Sequence, residues 1–176
     1  GRIVADPDVR FSAPIVEPQQ SEAAGNITWG IQKIGADKLW KDKIRGNGIV
    51  VANSDTGVQW DHPALIGKYR GYNGKTGEAN HNYNWWDAVH TQESGGVNAC
   101  GYSSPAPCDD YGHGTHTMGT MVGRGGNNRI GVAPKAKWIA CRNMDNGVGS
   151  PTTYMECFEF FLAPWDLNGN NPDPSR

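Results

Sequence analysis

Apolar positions along the chain follow two periods. Met118, Met121 and Val122 recur at i, i+3 and i+4 behind Gly112-His113-Gly114, the spacing of one helix face. The run from His113 to Val122 therefore predicts a buried helix, and its glycines predict a neighbour pressed close against it. Upstream, Ile49-Val50-Val51-Ala52-Asn53-Ser54 opens with β-branched residues and no polar face, the pattern of a buried parallel strand. Lys137 to Cys141, with Trp138-Ile139-Ala140 at its centre, predicts a second strand. Ile34, Leu39 and Trp40 predict a short amphipathic helix that buries all three and stops at Gly46-Asn47-Gly48. Ser150 is placed to cap a helix over Thr152 to Ala163, with Phe158, Phe161 and Leu162 on its apolar face and Pro164 ending it. Strand, helix, strand, helix argues for an α/β fold with a mostly parallel sheet.

Other stretches lack a period. Residues 1–25 contain Pro, Glu and Gln and read as an N-terminal arm, followed by one domain over 26–176. Gln59 to Asp109 is long for a connection and carries Trp60, Tyr69, Tyr72, Tyr83, Trp85 and Trp86, so it reads as a packed surface excursion. Asn146-Gly147-Val148-Gly149-Ser150 reads as a flexible, glycine-edged loop, and Asn168 to Arg176 as an exposed, turn-rich tail.

Composition narrows the function classes. The 176 residues, 37% hydrophobic, suffice for one substantial core or part of a larger domain. Sixteen basic and 18 acidic residues give a net charge of −2, with no basic stripe for nucleic acid and no membrane patch. No apolar run reaches membrane-spanning length and no signal peptide stands at Gly1, so the chain reads as soluble and already processed. Cys100, Cys108, Cys141 and Cys157 lack C-x-x-C spacing, which favours disulfides over zinc. Cys100 and Cys108 flank a short turn-forming loop, whereas Cys141 ends a strand and Cys157 lies in a helix. Bridges imply an oxidising, extracellular setting; four buried thiols are the alternative.

Two residues carry candidate chemistry. His113 stands at a helix start, where the dipole disfavours added positive charge and keeps an imidazole neutral, as a general base requires. Asp55 ends the first strand and is followed by Thr56-Gly57, the strand edge where open α/β sheets build their sites. Asp55 as a turn cap is the bland alternative. His113 and His116, at i and i+3, also suggest a metal pair, but zinc helices more often use i, i+4 with a glutamate between. His116 reads better as a buried structural histidine.

With Asp55-Thr56-Gly57 and His113-Gly114-Thr115-His116 in this order, the chain resembles the subtilisin-like serine proteases, the subtilases, of the peptidase S8 family. The resemblance extends through Asp61-His62-Pro63-Ala64-Leu65, Gly119-Thr120 and Ile130-Gly131-Val132-Ala133-Pro134. Trp60, the Trp85-Trp86 region and Ala136-Lys137-Trp138-Ile139-Ala140 look most like its secreted, bacillopeptidase-F-like branch. It covers roughly Ile27 to Pro164 and implies a three-layer subtilisin-like fold, of which this chain is the N-terminal part. It also implies that Asp55 orients His113, the base for a serine, and that Gly147-Val148-Gly149 is the edge that pairs with polypeptide substrates. The family's nucleophile segment, of the Gly-Thr-Ser-Met-Ala type, and its oxyanion asparagine do not occur here. A C-terminal portion of the same protease, as a second chain, is therefore the expected partner and the source of the serine. No cofactor is needed for the chemistry. Structural calcium is a family feature, but Ala64 replaces the metal-binding Asp of many relatives, which leaves Asp109 and Asp110 as candidates. The arm resembles the junction between a propeptide and a mature domain, Asp6-Pro7-Asp8-Val9-Arg10-Phe11 being the suggestive part. A non-catalytic module that binds peptides through residues 147–149 is the alternative from another class.

Overall fold

The computed structural model describes residues 6–10 and 27–176; the boundary expected near residue 25, and most of the arm, lie outside them. In chain order the strands are β1 (Val9–Arg10), β2 (Val50–Asp55), β3 (Tyr72–Asn73), β4 (Glu78–Ala79), β5 (Trp85–Asp87), β6 (Arg124–Gly125), β7 (Asn128–Arg129), β8 (Lys137–Arg142) and β9 (Val148–Gly149). The helices are α1 (Trp29–Lys33), α2 (Ala36–Lys41), α3 (His113–Val122) and α4 (Pro151–Leu162). β2, β8 and β5 form a parallel sheet in that spatial order, with Asp55 and Asp87 both in register with Arg142.

Side chains alternate across β8 and assemble three layers. Trp138 and Ala140 join Met118 and Val122 of α3 in a core that also holds Val58, Leu65, Tyr69 and Trp85. Ile139 and Cys141 point the other way, toward Cys157 and Phe160 of α4. The fully buried Trp138 and Trp85 satisfy their indole N–H groups on backbone carbonyls, Trp138 on Leu65 at 3.0 Å and Trp85 on Ser104 at 2.9 Å. Disulfides join Cys100 to Cys108 and Cys141 to Cys157, the second tying β8 to α4.

Several expectations are corrected. The long excursion is part of the core: it supplies β5, and Tyr69 and Trp85 within it are fully buried. Gly35, at φ 74°, breaks the expected N-terminal helix in two, so Ile31, Ala36 and Trp40 are buried while Ile34 and Leu39 are exposed. On α4 the bridge at Cys157 sets the inward face as Thr153, Cys157 and Phe160, leaving Phe158 and Leu162 in solvent with Met155. Ser150 caps this helix as expected, its side chain accepting from Thr153 N and its own N donating to Thr153 Oγ1 at 3.1 Å. β2 is parallel but only partly buried: Val50 at its start is exposed, as is Ile49 before it, and among the described residues β2 pairs with β8 alone. His116 is exposed rather than a core residue. Residues 145–148 form a tight turn rather than a flexible loop. Asp145 and Val148 exchange backbone bonds of 2.7 and 2.9 Å, and Asn146 and Gly147 adopt φ 49° and 77°, as an Asn-Gly hairpin turn requires.

Candidate active site

The C-terminal end of β2 delivers Asp55 beside the first residue of α3. His113 Nδ1 lies 2.7 Å from Asp55 Oδ1 and 2.9 Å from Oδ2, across 58 residues of chain. An ionised carboxylate only accepts, so Nδ1 carries the proton and Nε2 keeps its lone pair. Asp55 is held from two further sides, by Thr56 N at 2.7 Å on Oδ1 and by Thr117 Oγ1 at 3.1 Å on Oδ2. Its side chain is 12% exposed and that of His113 25%, so the pair is shielded yet open to a reactant. Tyr154 of α4 stands close enough that Asp55's charge, after burial, helps raise its phenol pKa and keep it neutral.

Close backbone approach makes this geometry. Gly114 sits against the loop after Asp55: a Cβ there would lie 2.0 Å from the Gly57 carbonyl oxygen and 3.1 Å from Asp55 Cβ. Gly57, at φ 104°, is equally confined, since a Cβ on it would fall 1.8 Å from the Cys108 carbonyl oxygen. Gly114 N donates to Thr56 Oγ1 at 2.9 Å, and Asn53 Nδ2 donates to Gly114 O at 3.1 Å.

Asp109 fastens the start of α3. Its carboxylate accepts from Thr56 Oγ1 at 2.8 Å, Tyr111 N at 3.1 Å, Gly112 N at 2.8 Å and Thr115 N at 2.8 Å, and also from Thr115 Oγ1. Asp110 faces the buried Arg142, whose Nη2 donates to it at 2.5 Å and to Asn98 Oδ1 at 2.9 Å. Arg142 Nη1 donates to Asp87 Oδ2 at 3.1 Å and to Gly101 O at 2.9 Å. Burial raises the pKa of Asp87 and of Asp110, and the guanidinium opposes that rise in both. Of the two calcium candidates, Asp109 has both carboxylate oxygens committed to protein donors, whereas Asp110 uses Oδ2 on Arg142 and Asn146 N and keeps Oδ1 buried without a hydrogen-bond partner. Among the described residues no group of three or more His, Cys, Asp or Glu is arranged to hold a metal.

β9 (Val148–Gly149) follows the turn after β8, and a Cβ on its buried Gly149 would lie 2.3 Å from the carbonyl oxygen of Asn143, whose N bonds the Asp55 carbonyl. Gly147 packs on the ring of Tyr111, just before His113, with 3.3 Å from its Cβ direction to Tyr111 Cζ. The edge of β9 is already paired: β1 lies antiparallel to it, Val9 opposite Gly149 and Arg10 opposite Val148. Asp6, three residues earlier, accepts from Thr152 Oγ1 at 2.5 Å and Thr152 N at 3.4 Å at the start of α4. The Thr152 hydroxyl, as the main cause, holds the Asp6 carboxyl below its usual pKa.

Asp55 and His113, both expected from the sequence, therefore meet at the C-terminal end of β2, and residues 147–149 follow the C-terminal end of the neighbouring β8. Thr56, Asn53, Thr117 and Arg142 belong to the same assembly, although the sequence does not single them out. Asp109 stands out in the sequence only as a metal ligand, yet an Asp three residues before a glycine and a helix is also a capping signal.

The chain is 44% identical to bacillopeptidase F of Bacillus subtilis over 156 residues, which is 87% of this chain and 10% of that protein. It is 34% identical to the minor extracellular protease Vpr of Bacillus subtilis over 151 residues, 84% of this chain and 15% of that protein. With thermitase of Thermoactinomyces vulgaris it shares 35% over 126 residues, 70% of this chain and 36% of thermitase. It thus spans about a tenth to about a third of the length of these relatives. A solved protease structure from Pseudoalteromonas arctica overlaps 76% of this chain and 40% of its own at 18% identity, with a TM-score of 0.48. The sequence profile of the subtilase family matches residues 46–159, a span that holds both Asp55 and His113, and the chain belongs to that family.

Proposed function

We propose that the chain supplies the acid and the base of a secreted serine endopeptidase, whose nucleophilic serine and oxyanion donors come from a further portion of the same protease. The observation that carries this reading is the His113 Nδ1 contact with Asp55 at 2.7 and 2.9 Å. It fixes the tautomer in which Nε2 takes a proton from a serine hydroxyl, while Asp55 stabilises the imidazolium that forms. The serine oxygen then attacks the peptide carbonyl, His113 returns the proton to the leaving amine, and water releases the acyl group.

One surface feature supports the further portion, and another the binding of a peptide. Ile49 just before β2 and Val50 on it, and Met155, Phe158 and Leu162 on α4, are large exposed apolar side chains that a continuing sheet and its helices would cover. β9 suits an extended peptide, since β1 of the chain itself pairs there in the antiparallel sense. While β1 lies on that edge a substrate cannot, so the active form requires its departure. Two disulfides support the extracellular setting.

The test is turnover of a chromogenic peptide by the full-length protein carrying Asp55→Asn or His113→Ala. Asp55→Asn lowers kcat about 10⁴-fold, as loss of the orienting carboxylate does in such triads, with KM nearly unchanged. Turnover within tenfold of wild type in either variant removes the pair from the mechanism. It would leave the peptide-binding module as the reading to pursue.

A further inference from the structure

Beside α4, a second chain of proton donors and acceptors links three side chains that take no part in the site above. Glu156 of α4 accepts from Trp86 Nε1 at 2.5 Å and from His90 Nε2 at 2.7 Å, both on the same carboxylate oxygen. His90 Nδ1 in turn lies 2.7 Å from Ser103 Oγ. The carboxylate fixes the tautomer: with Nε2–H donated to Glu156, Nδ1 of neutral His90 holds a lone pair, and the Ser103 hydroxyl must donate to it. This is the same logic of nucleophile, base and orienting acid that defines a triad, with the two ring nitrogens exchanged.

The surroundings hold Ser103 in place and leave it accessible. Its residue is exposed and stands at φ 51°, the left-handed region that costs a non-glycine residue energy. Its N donates to Val89 O at 2.9 Å, the next residue's N donates to Asp87 Oδ2 at 2.8 Å, and the Cys100–Cys108 bridge closes the loop on both sides. A cleft of about 260 Å³ opens here, lined by Trp86, His90, Ser103, Pro105, Leu167 and Asn168 among others. Neither Asp55 nor His113 lines it. Trp86, Pro105 and Leu167 give it apolar walls, and Asn168 brings an amide able to donate to an oxyanion.

We propose that Ser103, His90 and Glu156 form a second acyl-transfer site, which cleaves small carboxylic esters with an apolar acyl group. Ser103 Oγ forms the bond to the ester carbonyl carbon as its proton passes to His90 Nδ1. The C–O bond to the alkoxy group then breaks, and the leaving alcohol takes that proton from His90. Water, deprotonated by the same nitrogen, attacks the acyl-serine and releases the carboxylic acid, restoring Ser103. Glu156 holds the imidazole and stabilises its charged form, and Trp86 holds Glu156.

The experiment treats the full-length protein with a fluorophosphonate probe and maps the label in the tryptic peptide Thr76 to Arg124 by mass spectrometry. Label is expected at Ser103, slowed at least tenfold by His90→Gln. It is expected to persist in His113→Ala, where the proposed peptidase is silent, so the two sites stand or fall separately. The His113→Ala protein is also expected to hydrolyse p-nitrophenyl butyrate, at a rate lowered at least tenfold when Ser103→Gly is added; glycine is chosen because it accepts φ 51° without strain. An unlabelled Ser103 overturns the proposal, as does labelling that is indifferent to His90→Gln. Ester hydrolysis unaffected by Ser103→Gly overturns it equally.

Discussion

Gly114→Ala isolates the dependence of the Asp55–His113 contact on close backbone approach. The added Cβ would lie 2.0 Å from the Gly57 carbonyl oxygen, against the 3.4–4 Å of ordinary contact, so α3 has to retreat by about 1.4 Å. The oxygen cannot yield instead, because Gly57 is itself clamped against the Cys108 carbonyl. A retreat of that size lengthens the 2.7 and 2.9 Å bonds from His113 Nδ1 to Asp55 beyond hydrogen-bond range. Two effects compete in stability. Alanine favours a helix over glycine by about 1 kcal/mol, whereas overpacking a close contact costs about 1–3 kcal/mol. The net change is therefore small, about 0–2 kcal/mol against the variant. Activity has no such compensation: a misplacement near 1 Å costs about 10²-fold, and complete loss of the orienting carboxylate about 10⁴-fold. The assay compares kcat of the full-length protein as wild type, Gly114→Ala and Gly119→Ala. Gly119 lies in the same helix with no atom within 4 Å of its Cβ position, so its substitution gains helix stability and leaves kcat unchanged. Turnover by Gly114→Ala within threefold of Gly119→Ala would refute the claim that this contact sets the pair.

Removing the strand-to-helix bridge by Cys141→Ser with Cys157→Ser, a closure of 16 residues, should lower stability by about 3 kcal/mol in urea unfolding. An unchanged midpoint in the double variant would mean that Phe160 and its neighbours hold α4 unaided. His81 gives a pH prediction. Burial lowers its pKa from 6.5, and Tyr69 Oη lies 2.9 Å from its Nδ1. The unfolded chain takes up this proton near pH 6.5 before the folded chain does, so the contribution is intact above that value and is lost as pH falls toward the folded pKa. Thermal midpoints at pH 7.5 and 5 should therefore differ less in His81→Gln than in wild type, and an equal difference would remove His81 as a cause.

Asp55 and His113 are legible because their chemistry is written locally: a strand-end carboxylate before a Thr-Gly turn, and a histidine opening a glycine-rich helix. The three-layer arrangement follows from two apolar strands alternating with two helices. What stays hidden depends on distant partners. The inward face of α4 is set by Cys157 meeting Cys141, so Phe158 and Leu162, equally apolar, give no sign that they turn outward. β5 is three residues of a long aromatic stretch, and becomes a strand only because β8 offers it an edge. Arg142 carries no local sign of burial, since Asp87, Asn98 and Asp110 close around it from three separate places in the chain. Exposed His116, expected inside, shows that helical spacing alone does not fix rotation about the helix axis.

One strand, β8, carries a consequence for motion. Arg142 at its end lies opposite Asp55, and Asn143 N donates to the Asp55 carbonyl at 2.9 Å. Val148 and Gly149 follow after a single tight turn closed by Asp145. The edge proposed to guide a peptide is thus continuous with β8, and β8 is hydrogen-bonded along its length to β2, the strand that carries the anchor of the imidazole. When the sheet bends thermally, both travel together, and the difference between their positions, on which reaction geometry depends, changes far less than either position does.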